Sequence, residues 1–309
     1  MAAEHHFIYE GGGSDDIPID VTHLTIDESV TIIPEGLLYE HPNIVELICH
    51  KGVTKIGRRT CYKCPSLQRV IMLGVLVVES EAFFHCEALL HVKCDKLERI
   101  ENKAFMNNRS LVGIDLPSLR VVKLSAFFNC QAVEYVKFGK LLDSIDSCAF
   151  TDCVCLERIT IPLKAGVLTN ESIFYRCGNL VRLELVEKDE LKEIIAAFHL
   201  KEWKKEMNHQ ILYIRRALPN AWAGNYIQYG QKVGVIEEWI KHTLQMLSHF
   251  ISEHHRILNV AVTSLRHSLP NDIIQNSVLP FLKLPPQSSE WEGHEEDNET
   301  RKRRKVENA

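Results

Sequence analysis

The sequence predicts a repeat solenoid with short parallel strands, followed by an α-helical hairpin, and three observations carry that prediction. The dipeptide Ala-Phe recurs at Ala82-Phe83, Ala104-Phe105, Ala126-Phe127 and Ala149-Phe150, every 22 or 23 residues. Around it, five columns of mostly apolar residues hold the same spacing over about 150 residues. From about residue 188 the apolar spacing changes to three or four, the period of an amphipathic helix.

Aligned on the dipeptide, the core column runs through Leu38, Cys61, Phe83, Phe105, Phe127, Phe150 and Phe174, at intervals of 23, 22, 22, 22, 23 and 24 residues. Seven repeats result. Three residues further on stand His41, Cys64, Cys86, Asn108, Cys130, Cys153 and Cys177, so five of the ten cysteines share one structural position. Next come Ile44, Leu67, Leu89, Leu111, Val133, Leu156 and Leu180, then Leu47, Val70, Val92, Ile114, Val136, Ile159 and Leu183. Upstream, Ile33, Ile56, Val78, Ile100, Val122 and Ile145 complete the apolar set.

Each unit reads as I-x3-A-F-x2-C-x2-L-x2-V-x-L. A turn or 3₁₀ piece is followed by a short strand, where the apolar spacing becomes two, as in Val136-Lys137-Phe138. One unit cannot bury its own apolar face, so neighbours stack with parallel strands around a continuous core. A small side chain fits the cysteine column beside a tight turn, and Asn108 there can hydrogen-bond turn backbone.

The pattern I-x3-A-F-x2-C-x2-L-x2-V resembles the BspA-type leucine-rich repeat. The phrasing HPNIVELICHKGV, CEALLHV, LERIENKAF and CVCLERITIPLKAGVLT is similar to the large set of such proteins in diatoms. The resemblance covers nearly the whole chain, including the helical end IIQNSVLPFLKLP. It implies a leucine-rich repeat solenoid and a role in binding other proteins, with no particular activity. Leu38, His41 and Cys61 depart from the pattern, and the stretch Ile161 to Asn170 is longer than the norm.

After the repeats, Leu191, Ile195, Phe198, Met207, Ile211, Ile214 and Leu218, with Trp203 in the larger gap, form one apolar stripe and predict a long helix. Pro219 to Gln231 read as a loop. A second stripe, Ile236, Ile240, Leu244, Leu247, Ile251, Leu258, Ala261 and Leu265, predicts another long helix, and the simplest arrangement is an antiparallel pair. A short helix from Pro270-Asn271 through Val278 is expected before Pro280, and Pro285-Pro286 ends ordered structure. Two roles stand open for this region: a cap on the solenoid's end, or a dimerising or partner-binding hairpin. The expected organisation is therefore a flexible segment 1–20, a solenoid 21–187, a helical domain 188–284 and a disordered charged tail 285–309.

The tail carries Glu290, Glu292, Glu295, Glu296, Asp297 and Glu299, then the basic run Arg301, Lys302, Arg303, Arg304 and Lys305. It has almost nothing apolar to bury. Its basic run reads either as a nuclear-targeting patch or as a solvated charge run. The acidic N-terminus lacks the regions of a secretory signal, and no apolar run approaches the roughly 20 residues of a membrane span. An intracellular location, cytoplasmic or nuclear, with reduced thiols follows as the expectation.

Composition narrows the chemistry. At 45% hydrophobic and 25% charged residues the chain is an ordinary globular sequence, not a disordered or low-complexity polymer. With 36 Lys+Arg against 41 Asp+Glu the net charge is -5, which does not suit a molecule built throughout to clamp nucleic acid. Cys61-x2-Cys64 is the only C-x2-C pair, and both cysteines already belong to repeat columns, so packing outweighs metal. His242, His249, His254 and His255 form no ligand pattern, and Gly11-Gly12-Gly13 precedes no phosphate-binding motif. No catalytic residue, metal or cofactor is expected.

Function is read instead from the outward strand positions. One column holds Glu46, Arg69, His91, Gly113, Tyr135, Arg158 and Arg182; the other holds Ile48, Ile71, Lys93, Asp115, Lys137, Thr160 and Glu184. They alternate with core residues and line one face, mildly basic in an acidic protein. Arg69, His91, Lys93, Tyr135, Lys137, Arg158 and Arg182 are the candidate binding residues, with Tyr135 as anchor. An ordinary solvated ladder of charge pairs is the alternative. The leading expectation is a non-catalytic scaffold for a protein partner whose identity and stoichiometry the sequence leaves open. The second is a nuclear protein that associates with nucleic acid through its basic tail and Arg/Lys face.

Overall fold

The structure is a computed structural model that describes residues 4–186, 201–221, 231–267, 269–270 and 273–274. The repeats form a solenoid of parallel coils. Its broad side carries strands β1 (His6–Tyr9), β2 (His23–Ile26), β4 (Glu46–Cys49), β6 (Arg69–Met72), β8 (His91–Lys93), β10 (Gly113–Leu116), β12 (Tyr135–Phe138), β14 (Arg158–Ile161) and β15 (Arg182–Leu185). The opposite side carries two-residue strands: β3 (Ile32–Ile33), β5 (Lys55–Ile56), β7 (Val77–Val78), β9 (Arg99–Ile100), β11 (Val121–Val122) and β13 (Ser144–Ile145).

The two-residue strands form one continuous sheet, whereas the broad side is divided. Hydrogen bonds join β1-β2-β4-β6-β8 into one sheet and β10-β12-β14-β15 into another. The break falls where the ladder meets Gly113, a residue with no side chain to pair with a neighbour. Val92 on β8 is only half-buried, although Leu47, Val70, Ile114, Val136 and Ile159 in the same column are fully buried.

Strand alternation puts every second residue inside, as in the buried Val136 and Phe138 of β12. The aromatic column becomes a stack: ring centroids lie 5.1 Å apart for Phe83–Phe105 and 5.2 Å for both Phe105–Phe127 and Phe127–Phe150. Beside it, each cysteine thiol donates to the carbonyl of the core-column residue one coil back. Cys64 reaches Leu38 O at 2.9 Å, Cys130 reaches Phe105 O at 3.1 Å and Cys177 reaches Phe150 O at 2.9 Å. Asn108 breaks this series. Its Oδ1 accepts from Cys86 N at 2.9 Å, while its buried Nδ2 has no partner.

The turns around the core column place two residues per coil in the left-handed region, mostly without glycine. Arg59, Glu81 and Lys103 form part of one such column, and Glu40, Lys63, His85, Asn107, Asn129, Asp152 and Arg176 form the other. Backbone bonds to the next coil hold them, such as Lys63 N to Phe84 O at 2.7 Å. In the second column consecutive side chains pair across coils: Lys63 with Glu40 at 3.2 Å, Asn129 Nδ2 with Asn107 Oδ1 at 2.8 Å, and Arg176 with Asp152 at 2.8 Å.

Two expectations about the repeat region change. The segment 1–20, expected to be flexible, supplies β1, which pairs in parallel with β2 from His6↔His23 to Tyr9↔Ile26. Its own alternation drives this, with Phe7 half-buried and Tyr9 buried. In the long stretch after β14, Leu168 bridges Ile145 and keeps the upstream column in register. The extra residue lies between Leu168 and Phe174 and is absorbed by a 3₁₀ turn, Glu171–Phe174, whose first turn Asn170 caps through Ser172 N.

Two helices follow, α1 (Lys201–Asn220) and α2 (Gln231–Leu265). They run antiparallel, because Lys232 Nζ donates to Leu218 O at 3.2 Å while Trp239 Nε1 donates to Gln210 O at 3.0 Å. Helix α1 continues through Pro219, where a loop was expected. Its buried face runs through Gln210, Ile214 and Leu218, and Ile211 is exposed instead of buried.

The chain divides into two compact units, Met1–Glu187 with Glu206–Met246, and Lys188–Lys205 with Leu247–Ala309. In the first unit α2 lies against the last coils. Lys232 Nζ donates to Leu180 O at 2.6 Å, and Glu237 accepts from Gly166 N at 3.2 Å and Leu168 N at 3.1 Å. Burial holds the Lys232 ammonium below its usual pKa. In the second unit the described part of α2 exposes Ile257 and Val260. The expected helical residues Leu191, Ile195 and Phe198, most of the short helix ending at Val278, and the tail 285–309 with Arg301, Lys302, Arg303, Arg304 and Lys305 lie outside the described residues.

Candidate interaction face

The outward columns follow strand register. Glu46↔Arg69↔His91 continue one another on the five-stranded sheet, and Gly113↔Tyr135↔Arg158↔Arg182 on the four-stranded one. In the second column Lys93 follows Ile71, and Lys137 follows Asp115. The structure therefore places Arg69, His91 and Lys93 together, and Tyr135, Lys137, Arg158 and Arg182 together, in two separate sheets.

On the five-stranded side the polar groups engage one another. The rings of His6 and His23 stack at 4.6 Å, His23 Nε2 lies 3.9 Å from Glu46, and Arg69 Nε donates to Glu46 at 2.8 Å. The Arg69 guanidinium holds the Glu46 carboxylate below its usual pKa. The second column here is largely apolar, with Ile8, Ile48 and Ile71.

The four-stranded side is arranged differently. Tyr135 lies over Gly113, where an added Cβ would collide with the ring. The Arg158 guanidinium stands 5.7 Å from the Tyr135 ring centre. Arg182 pairs with Glu157 at 3.3 Å. Neither Lys137 nor Arg158 has a carboxylate partner among the described residues, so a half-buried aromatic ring and two exposed cations without carboxylates share one patch. That patch can offer cation–π and carboxylate contacts together.

Two further features lie beyond the predicted residues. His6 and His23 extend the outward column by two strands; the alternation in His6-Phe7-Ile8-Tyr9 was their signal, though the Ala-Phe motif is missing there. On the turns, Tyr39, Tyr62 and Phe84 stack at 4.9 Å each, with Arg59 and Lys63 beside Tyr62 at 5.5 and 5.4 Å. This column was legible as an aromatic one residue after the core position. Among the described residues no group of three or more His, Cys, Asp or Glu could hold a metal ion, and no helix is long and apolar enough to cross a membrane. All ten cysteines are free; Cys155 is exposed, Cys148 half-buried and the rest buried.

A parallel solenoid with an aromatic core ladder and one coil per 22 to 24 residues defines a leucine-rich repeat protein. The model of the BspA type leucine rich repeat region matches in six copies over residues 19–90 and 98–199, and the chain belongs to that family. Among solved structures it is similar to a leucine-rich repeat protein from Bacteroides ovatus, at 23% identity and a TM-score of 0.46, over 55% of this chain and 47% of that one. It is also similar to a leucine-rich repeat protein of T. pallidum, at 20% identity and a TM-score of 0.39, over 58% of this chain and 84% of that one. A third is the pneumococcal vaccine antigen PcpA, at 18% identity and a TM-score of 0.37, over 60% of this chain and 55% of that one. The aligned part thus spans about half the length of the Bacteroides protein. No curated protein matches the chain.

Proposed function

We propose that this chain is a non-catalytic interaction protein that holds a protein partner on the outward strand face of its solenoid, centred on Tyr135, Lys137 and Arg158. One observation carries the reading. The Tyr135 ring is laid over a glycine and flanked by two cations that no carboxylate of the described residues engages. Such a ring loses little freedom on binding, and aromatic and arginine side chains dominate binding hot spots.

The test is affinity capture from native lysate with the parent chain, Tyr135→Ala/Arg158→Ala and Gly113→Ala, quantified by mass spectrometry. Both variants are expected to lose the same specific co-purifying proteins, the second because it displaces the ring while keeping every polar group. Retention of all of them by the double variant overturns the reading.

A further inference from the structure

We propose that the N-terminal edge of the five-stranded sheet joins two copies of this chain, β1 pairing antiparallel with β1 of the second copy about a two-fold axis at Ile8. Among the described residues β1 pairs only with β2, and its other edge has no strand neighbour among them. Among the described residues no element packs over the end of the solenoid at β1. Phe7 is half-buried, whereas Leu24 and Leu47 after it in the same column are fully buried, and Ile8 is 60% exposed. This four-residue edge holds no proline, lysine or bulge.

Backbone alternation decides which groups are free. Asp27 N donates to Tyr9 O at 2.9 Å and His23 N to His5 O at 3.0 Å. In a parallel ladder residues 5, 7 and 9 therefore face β2, and the N–H and C=O groups of His6, Ile8 and Glu10 point away from it. Opposed residues of an antiparallel pair share a face, so only registers that match inner with inner residues are allowed. Centred on Ile8, Ile8 exchanges both bonds with Ile8 of the partner subunit, and His6 does so with Glu10 of the partner subunit. On the outer face this sets imidazole against carboxylate and isoleucine against isoleucine; on the inner face it sets Phe7 against Tyr9 of the partner subunit. The neighbouring register, centred on Phe7, would oppose Glu10 with Glu4 of the partner subunit, two like charges.

The glycine run bounds the pairing. Gly11 and Gly12 take φ of 115° and 118°, which turns the chain off the edge directly after Glu10. An added Cβ at Gly11 would meet nothing within 4 Å, so the space opposite His5 of the partner subunit is open. This self-complementarity, in charge and in bonding parity, selects a second copy over an unrelated strand.

The test is the mass of the full chain by light scattering at micromolar concentration, against a monomer of 35.4 kDa. The parent is expected to run at twice that mass, and Ile8→Pro, which removes only an outward N–H, as a monomer with an unchanged melting curve. Ile8→Cys is expected to form an 8–8 disulfide on oxidation, mapped by mass spectrometry, because the two positions face each other across the axis. A parent that stays monomeric overturns the proposal. So does a folded Ile8→Pro variant that still dimerises.

Discussion

The two broad-side sheets share one interior and differ outside. β1 to β8 and β10 to β15 fill the same inner columns, with the Phe105–Phe127–Phe150 stack running beneath the second. Yet the outward polar groups of the first sheet engage one another from His6 to Arg69, while the second presents Tyr135 with Lys137 and Arg158, neither of which has a carboxylate partner among the described residues. The ends differ too: α2 bonds to Leu180 and Leu168, whereas among the described residues β1 has a strand neighbour on one side alone. The difference teaches that the repeat fixes the inner columns and leaves the outer ones free to diverge coil by coil.

The largest expected effect strikes both sheets alike. Burial pushes the thiols of Cys49, Cys94, Cys130 and Cys177 up to about 12. A folded pKa above the unfolded value of about 8.5 gives stability that is complete below that pH and is lost as pH rises toward the folded value, by about 1.4 kcal/mol per unit and thiol. Lys232, with its depressed pKa, acts in the opposite direction. Thermal melts should be flat near neutrality and fall steeply above pH 9; a flat profile to pH 11 would contradict the burial of these thiols.

Next, Phe127→Ala should separate the sheets. It removes the middle ring of the stack and should cost about 3–5 kcal/mol. Amide exchange is expected to accelerate more in β12 to β15 than in β2 to β6, and equal acceleration would show that the break carries no energetic meaning. Glu237→Ala, which frees the amides of Gly166 and Leu168, should cost about 1–3 kcal/mol and loosen only the covered end. Urea midpoints equal to the parent's would remove Glu237 from that role.

Asn108→Cys tests the boundary itself. It relieves the buried unpaired Nδ2, restores a thiol aimed at the Phe83 carbonyl, and gives up the bond from Cys86 N, for a net gain of about 1 kcal/mol. A lower melting temperature would show that the Cys86 bond outweighs the orphaned amide. Gly113→Ala should change stability least, by less than about 0.5 kcal/mol, because the Tyr135 ring can swing aside. A chemical-shift map should nonetheless show the ring displaced; an unmoved Tyr135 would end the case for a ring positioned by glycine.

Much of this was legible in the sequence, because columns at fixed spacing report what a solenoid buries. Leu38 through Phe174 fall where the spacing put them, and every cysteine in the column is buried. β1 escaped because its coil lacks the Ala-Phe dipeptide, so only four alternating residues marked it. The sheet break escaped because it is a matter of hydrogen bonding, and Val92 keeps its column while losing part of its cover. Ile211 misled because helical periodicity admits two neighbouring faces, and the buried one passes through Gln210. The candidate residues could be listed from alternation, but the stacking of Tyr135 over Gly113 depends on which coil lies beside which.

That last question has its own answer in the left-handed turns. Coils with interchangeable cores could stack in the wrong succession, a hazard of repeat chains in which one unit is skipped or borrowed from another molecule. The pairs Glu40–Lys63, Asn107–Asn129 and Asp152–Arg176 each join one coil to the next. Skipping a coil would set Glu40 against His85, Asn107 against Asp152 and Asn129 against Arg176, and the two Lys/Arg–carboxylate pairs would be lost. The turn column thus works as an address written along the chain, telling each coil which neighbour is its own.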